Sequence, residues 1–110
     1  MKGVKIPKVL VIDSDPTSAK KTASALTKSG FEVMIASSES AGLKIVDKVH
    51  LDAVVVRDGS PQLDGFGLCR EIRHLSNPPL ILLGDKLERE VYPLTLKTRP
   101  DWDYYMHLPI

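Results

Sequence analysis

The side chains with chemistry to offer gather at four places, each after or at the end of a short apolar run. Asp13, Ser14 and Asp15 follow Val9-Leu-Val-Ile12, and Arg57, Asp58, Gly59 and Ser60 follow Ala53-Val-Val-Val56. Gly84 and Asp85 follow Leu80-Ile-Leu-Leu83, and Leu108 closes the last run, which starts at Tyr104. Carboxylates are oxygen ligands for hard cations. A guanidinium is the opposite: it is no nucleophile, it repels a metal ion, and its fork grips a carboxylate through two parallel hydrogen bonds. Arg57 therefore has carboxylates to pair with, Asp13 as the candidate partner and Asp15, Asp58 and Asp85 as competitors. Other chemistry is sparse. His50, His74 and His107 have no metal-ligand spacing, and Cys69 is the single cysteine, so neither a metal centre nor a disulfide framework is expected. Cys69 is expected to face the core. The chain has no Gly-x-Gly-x-x-Gly or Walker-type loop, which argues against a nucleotide enzyme. Asp13-Ser-Asp-Pro-Thr-Ser18 lacks the glycine of a flavin phosphate cradle and sets carboxylates where a phosphate would sit. No cofactor is expected.

The elements that must hold these groups alternate along the chain. Val9–Ile12 is a β-branched run that predicts a strand buried on both faces. Asp15 as N-cap and Pro16 in the first turn open a helix with Ala19, Ala23 and Leu26 at helical spacing, and Gly30 stops it. Phe31–Ala36 predicts a second strand, and Ser37 or Ser38 caps a helix carrying Ala41, Leu43, Ile45 and Val46. Ala53–Val56 predicts a third strand. Turn formers from Asp58 to Gly65 lead into a helix with Leu68, Ile72 and Leu75 on one face, ended by Asn77-Pro-Pro79. Leu80–Leu83 and Tyr104–Leu108 predict two more strands, while Pro93 limits any helix between them to a short piece. This alternation implies an α/β fold with a parallel sheet covered on both faces. Function in such a sheet sits at the carboxyl ends of the strands.

Bulk properties agree. With 110 residues, 43% of them hydrophobic and 26% charged, residues 1–110 suit a single domain. A net charge of +1 supplies no general pull toward nucleic acid or anionic lipid. The apolar runs fall far short of the roughly 20 residues that cross a bilayer, and Met1–Lys8 is short, basic and broken by Pro7, unlike a signal peptide. A cytoplasmic domain is expected.

One stretch is more specific than the rest: Asp52-Ala-Val-Val-Val-Arg-Asp-Gly-Ser-Pro-Gln-Leu-Asp-Gly-Phe-Gly-Leu-Cys-Arg-Glu-Ile-Arg73. With Val9-Leu-Val-Ile-Asp13, Gly30-Phe-Glu-Val33 and Asp103-Tyr-Tyr-Met-His-Leu-Pro109, it resembles the receiver domains of two-component signalling, of the chemotaxis-regulator type. The resemblance runs from about Lys8 to Ile110 and implies a flavodoxin-like, doubly wound sheet of five strands in the order 2-1-3-4-5. It also implies a phosphorylation site, which this chain reproduces at one position of five. Receivers hold magnesium with a pair of acids after the first strand; here the first is Asp13 and the second position is Ser14. The phosphate-accepting aspartate stands four residues before the loop proline, and counting back from Pro61 gives Arg57. The hydroxyl residue that ends the fourth strand aligns with Gly84, and the lysine before the final proline aligns with Leu108.

Phosphoryl transfer needs a nucleophile, a bridging cation and fixed positive charge for the transition state. The substitutions therefore imply a degenerate receiver that is no enzyme and works through protein contacts in signalling or transcription regulation. Two alternatives stand beside it. Asp58, one residue late, is a displaced acceptor, although a slip of one turns a strand side chain to the other face and makes a turn or cap role the plainer expectation. Otherwise Arg57 anchors a small anion. Tyr105 aligns with the aromatic that receivers couple to their switch, and without a hydroxyl at position 84 a fixed rotamer is expected. Trp102 is either an exposed anchor or folded onto its own domain. The family's final helix would begin where the sequence stops at Ile110, so an open face beside Ala19 and Ala23 is expected. A second copy, a longer chain or a shifted first helix would cover it. The expected partners are proteins (a signalling or output domain, or a second copy) with no direct nucleic acid and no membrane.

Overall fold

The computed structural model describes residues 5–59, 63–84 and 101–107. Along them run β1 (Lys8–Ile12), α1 (Pro16–Lys28), β2 (Glu32–Ala36), α2 (Glu39–Lys48), β3 (Ala53–Arg57), α3 (Gly65–Leu75), β4 (Leu80–Gly84) and β5 (Tyr104–His107). The strands form one parallel sheet in the order β2-β1-β3-β4-β5. This is the flavodoxin-like arrangement expected. Ser60, Pro61, Asp85, Pro93 and Leu108 lie outside the described residues.

Strand side chains alternate between the faces of a sheet, and the alternation splits the core in two. Leu10, Ile12, Val54, Val56, Leu80 and Leu82 pack on one face with Val46 of α2 and Leu68, Cys69 and Ile72 of α3. Val9, Val11, Val55 and Leu83 occupy the other face, with Leu26 of α1 against them. Each helix starts on a side-chain cap. Asp15 accepts from Thr17 N at α1, Ser38 from Ala41 N at α2, and Asp64 from Gly67 N at α3. Gly30 ends the turn after α1 with φ 96°, a left-handed conformation that favours glycine.

Three details differ from expectation. Phe31 stands before β2; its N–H closes the end of α1 on Leu26 O at 3.1 Å. The third strand runs one residue past its apolar run and places Arg57 opposite Leu83. Leu75 is 46% exposed because it is the last residue of α3, where Ser76 turns into extended conformation. No helix among the described residues is long and apolar enough to cross a membrane.

Candidate functional site

The carboxyl ends of β1, β3 and β4 meet at one rim of the sheet, since Ile12 pairs with Val56 and Arg57 with Leu83. Asp13 is the first residue past β1 and is nearly buried, at 3% exposure. Its N–H donates to Ala36 O at 3.0 Å, and its Oδ1 accepts from Asp15 N at 2.9 Å. The acidic loop is thus folded on itself, with Asp15 Oδ1 accepting from Thr17 N at 3.0 Å as the α1 cap. Ser14 sits half-buried in the same turn.

Arg57 and Asp58 part company at the end of β3. Arg57 shares the Val55 face and reaches α1, where its Nη1 donates to Ser18 Oγ. The expected Arg57–Asp13 ion pair is not formed: none of the salt bridges among the described residues includes either group. The reason is local: the guanidinium finds the Ser18 hydroxyl on α1, while Asp13 Oδ1 is turned onto the N–H of Asp15 in its own loop. Asp58 goes the other way and is buried. Its N–H donates to Leu83 O at 2.7 Å, and its Oδ1 accepts from Gly65 N, the first residue of α3, at 3.0 Å. That is the turn-and-cap role.

Gly84 and Tyr105 form a unit that spacing alone did not show. Tyr105 pairs with Leu82, which makes Gly84 its diagonal neighbour. A Cβ on Gly84 would run into the Tyr105 hydroxyl and lie 3.2 Å from its Cζ. The ring occupies the space that a side chain at 84 would take. It stacks on Phe66 with centroids 6.3 Å apart and planes at 19°, and Phe66 meets Trp102 edge-on at 4.8 Å and 83°. Trp102 is 9% exposed, so of its two readings the inward one holds and the exposed anchor is corrected. Apolar contact with Phe66 and the core outweighs exposure of the indole.

Sequence reasoning passed over Ser18, Phe66 and Arg73. Arg73 donates from Nε to Asp101 O at 2.9 Å, from Nη1 to Pro78 O, and from Nη2 to Asp103 Oδ2 at 2.9 Å. Asp103 Oδ2 also accepts from Leu80 N at 2.8 Å, so one guanidinium ties α3 to the starts of β4 and β5. Phe66 had a signal, an aromatic directly after the Asp-Gly that opens the helix; Ser18 and Arg73 had none. Cys69 does face the core, where burial, only partly offset by Arg73, pushes its thiol up to about 12.

A model of the response regulator receiver domain family matches residues 9–97. The chain belongs to this family. Among its relatives is the probable transcriptional regulator ycf27 of Porphyra purpurea, 37% identical over 76 residues that make up 69% of this chain and 31% of that protein. The chain therefore spans about a third of the length of this curated relative. A solved receiver domain from Clostridium thermocellum is 28% identical, with a TM-score of 0.81 over 96% of this chain and 84% of that one. The response regulator TrrA of Thermotoga maritima, solved with Mg(2+)-BeF, shares the fold at 23% identity and a TM-score of 0.78, over 93% of this chain and 86% of that one.

Magnesium is the cation that receivers use, and the residues present do not fit it. Among the described residues no three His, Cys, Asp or Glu side chains converge. Asp13 Oδ1 is engaged by Asp15 N, and position 57 presents a guanidinium. A small, hard cation that demands near-octahedral oxygen ligands finds too few among the described residues.

Proposed function

We propose that this receiver domain acts without phosphorylation, as a constant protein-interaction module in a signalling or transcriptional regulator. One observation carries the reading: where receivers present the accepting carboxylate, this chain has Arg57, whose side chain turns to Ser18 on α1. The filled space over Gly84 supports it, because Tyr105 lies where a phosphoryl-binding hydroxyl would stand. The whole span 1–110 is taken as one receiver unit, with Asp13, Ser14, Arg57, Gly84 and Leu108 as its degenerate site. The surface around Tyr105 is its candidate contact region, and Trp102 supports that surface from beneath.

The displaced-acceptor alternative loses ground to the Asp58 hydrogen bond with Gly65 N, which holds that carboxylate under α3. The small-anion alternative draws on Arg57 and Lys21 lining one groove. Phosphate or sulfate that raises the melting temperature of the chain but not of Arg57→Ala would favour it.

The deciding experiment is incubation with acetyl phosphate and magnesium followed by intact-mass measurement, beside a functional receiver. The expected result is no adduct on this chain. An adduct mapped to Asp58 would overturn the proposal.

A further inference from the structure

Among the described helices, α1 alone carries charge of a single sign. It holds Lys20, Lys21 and Lys28 and no acidic residue. On α2, Glu39 and Asp47 balance Lys44 and Lys48. On α3, Glu71 offsets Arg70, and the Arg73 guanidinium is engaged with Asp103. The three lysines of α1 are exposed, and none enters a salt bridge among the described residues.

Helix stability accounts for only one of them. Lys28 stands in the last turn, where the helix dipole favours a cation. Lys20 and Lys21 lie about two turns before it, beyond the reach of that end. The residues three and four positions away from them on α1 are Pro16, Thr17, Ser18, Ala23, Ser24 and Ala25, so no pair within the helix offsets their charge.

The fold turns these charges outward together. Ala19 is buried, and Leu26 packs on the sheet. At 3.6 residues per turn, Thr17, Lys21, Ser24 and Lys28 fall on the opposite side of the helix, with Lys20 at its margin. All five are exposed. Lys20 to Lys28 cover about 12 Å at 1.5 Å per residue. Charges over that length are close to the screening length of ~10 Å at 0.1 M salt, so a ligand meets them as one patch. The Ser24 hydroxyl between them adds a neutral donor.

The same face selects among anionic partners. Helices that lie on membranes bury an apolar face, and no large apolar side chain of α1 is exposed. Nucleic acid is held by a field that neutralises many phosphates, whereas the whole chain has a net charge of +1. A short acidic stretch of protein needs only the patch itself. Carboxylates set against it gain orientation and speed of association more than tightness.

We infer that the outer face of α1 docks an acidic segment of a partner protein, whose carboxylates meet Lys20, Lys21 and Lys28. The inference rests on the reading of the domain as a protein-interaction module and adds a second contact surface with its partner's chemistry.

The probe is a fluorescein-labelled synthetic peptide of glutamate, serine and alanine, titrated with the whole chain by anisotropy. Saturable binding is expected, lost when glutamine replaces the peptide's glutamates and weakened at least ~5-fold by Lys20→Glu with Lys21→Glu. Lys44→Glu with Lys48→Glu on α2 changes the net charge equally and is expected to leave binding unchanged. Circular dichroism and melting temperature establish that both double variants remain folded. Absence of saturable binding overturns the inference, as does equal weakening by the two pairs, which would reduce the effect to net charge. Tighter binding of duplex DNA, or of phosphatidylserine vesicles, abolished by the α1 pair would give the face to nucleic acid or lipid; either result also overturns it. Acetyl phosphate separates the two levels. An adduct removes the underlying reading, whereas no adduct and no peptide binding removes this inference alone.

Discussion

Gly84 and Tyr105 share one volume, and each explains the other. A threonine at 84 must displace the Tyr105 ring from its stack on Phe66, because the new Cβ and the hydroxyl cannot coexist. Overpacking costs about 1–3 kcal/mol. Since Tyr105 is only half-buried and can swing out, Gly84→Thr is expected at the low end, about 1 kcal/mol in urea unfolding. Nuclear Overhauser contacts between rings 66 and 105 should vanish with it. Adding Tyr105→Ala should make Gly84→Thr nearly neutral, and a full cost in that background would show that the two do not compete. Cys69 was legible because a thiol on an apolar helix face behaves as a small hydrophobe. The Gly84–Tyr105 contact was not, because it depends on which strands are neighbours and in what register. The thiol also yields a pH dependence. Burial raises its pKa from 9.0 to about 12 in the fold. Between those values the unfolded chain releases a proton that the native one keeps, so stability falls as pH rises, by at most ~1.4 kcal/mol per pH unit. Below pH 9 the contribution is fully present. Urea midpoints of the chain and of Cys69→Ala should therefore converge between pH 9 and 11; parallel curves would mean the thiol titrates normally.

The helices owe their starts to single side chains, and α3 is tied to the starts of β4 and β5 by one guanidinium. Asp15 and Ser38 were readable as caps because a short oxygen-bearing side chain before a periodic run satisfies free N–H groups, whereas Asp64 lay hidden in a run of turn formers. Asp64→Ala removes the acceptor for Gly67 N, at 3.2 Å, and should cost about 1 kcal/mol, while Asp64→Asn keeps most of it. Equal losses for the two would assign the effect to charge. Arg73 shows what an element-level reading passes over. On the chain it is one basic residue among several near the end of a helix, whereas in the fold its side chain is 20% exposed and contacts three residues in two other segments. Charged hydrogen bonds contribute about 1.5–3 kcal/mol, so Arg73→Ala should cost on the order of 2 kcal/mol. Amide exchange should then accelerate first at Leu80 and along β5. Arg73→Lys should not rescue it, because an ammonium cannot reproduce the fork. Recovery by lysine would reduce the role of Arg73 to charge alone.

A phosphate switch requires two states of the whole molecule and a ligand that prefers one of them. Layering was legible because apolar runs and periodicity carry it, and strand order came only with the family resemblance; whether the assembled rim still binds a phosphoryl group depends on side-chain directions, which neither carries. Here the directions count against it. Arg57 leaves for α1, Asp58 is held by Gly65 N, and the Tyr105 ring covers Gly84. Magnesium with beryllofluoride, the pair held by the Thermotoga receiver, tests this as linkage. A ligand at 100 times its Kd stabilises by about 2.7 kcal/mol, which in a domain of this size moves the melting temperature by 10 °C or more at about 4–8 °C per kcal/mol. The unaltered chain is expected to shift by less than ~1 °C, since a ligand without differential affinity shifts nothing. Ser14→Asp, Arg57→Asp, Gly84→Thr and Leu108→Lys combined should restore a concentration-dependent rise. A rise in the unaltered chain, abolished by Asp58→Asn, would show that Asp58 escapes Gly65 and that the site survives one residue late. No rise in the fourfold variant would place the loss deeper than four side chains, in the turn that folds Asp13 onto Asp15 and in the ring packed beside position 84.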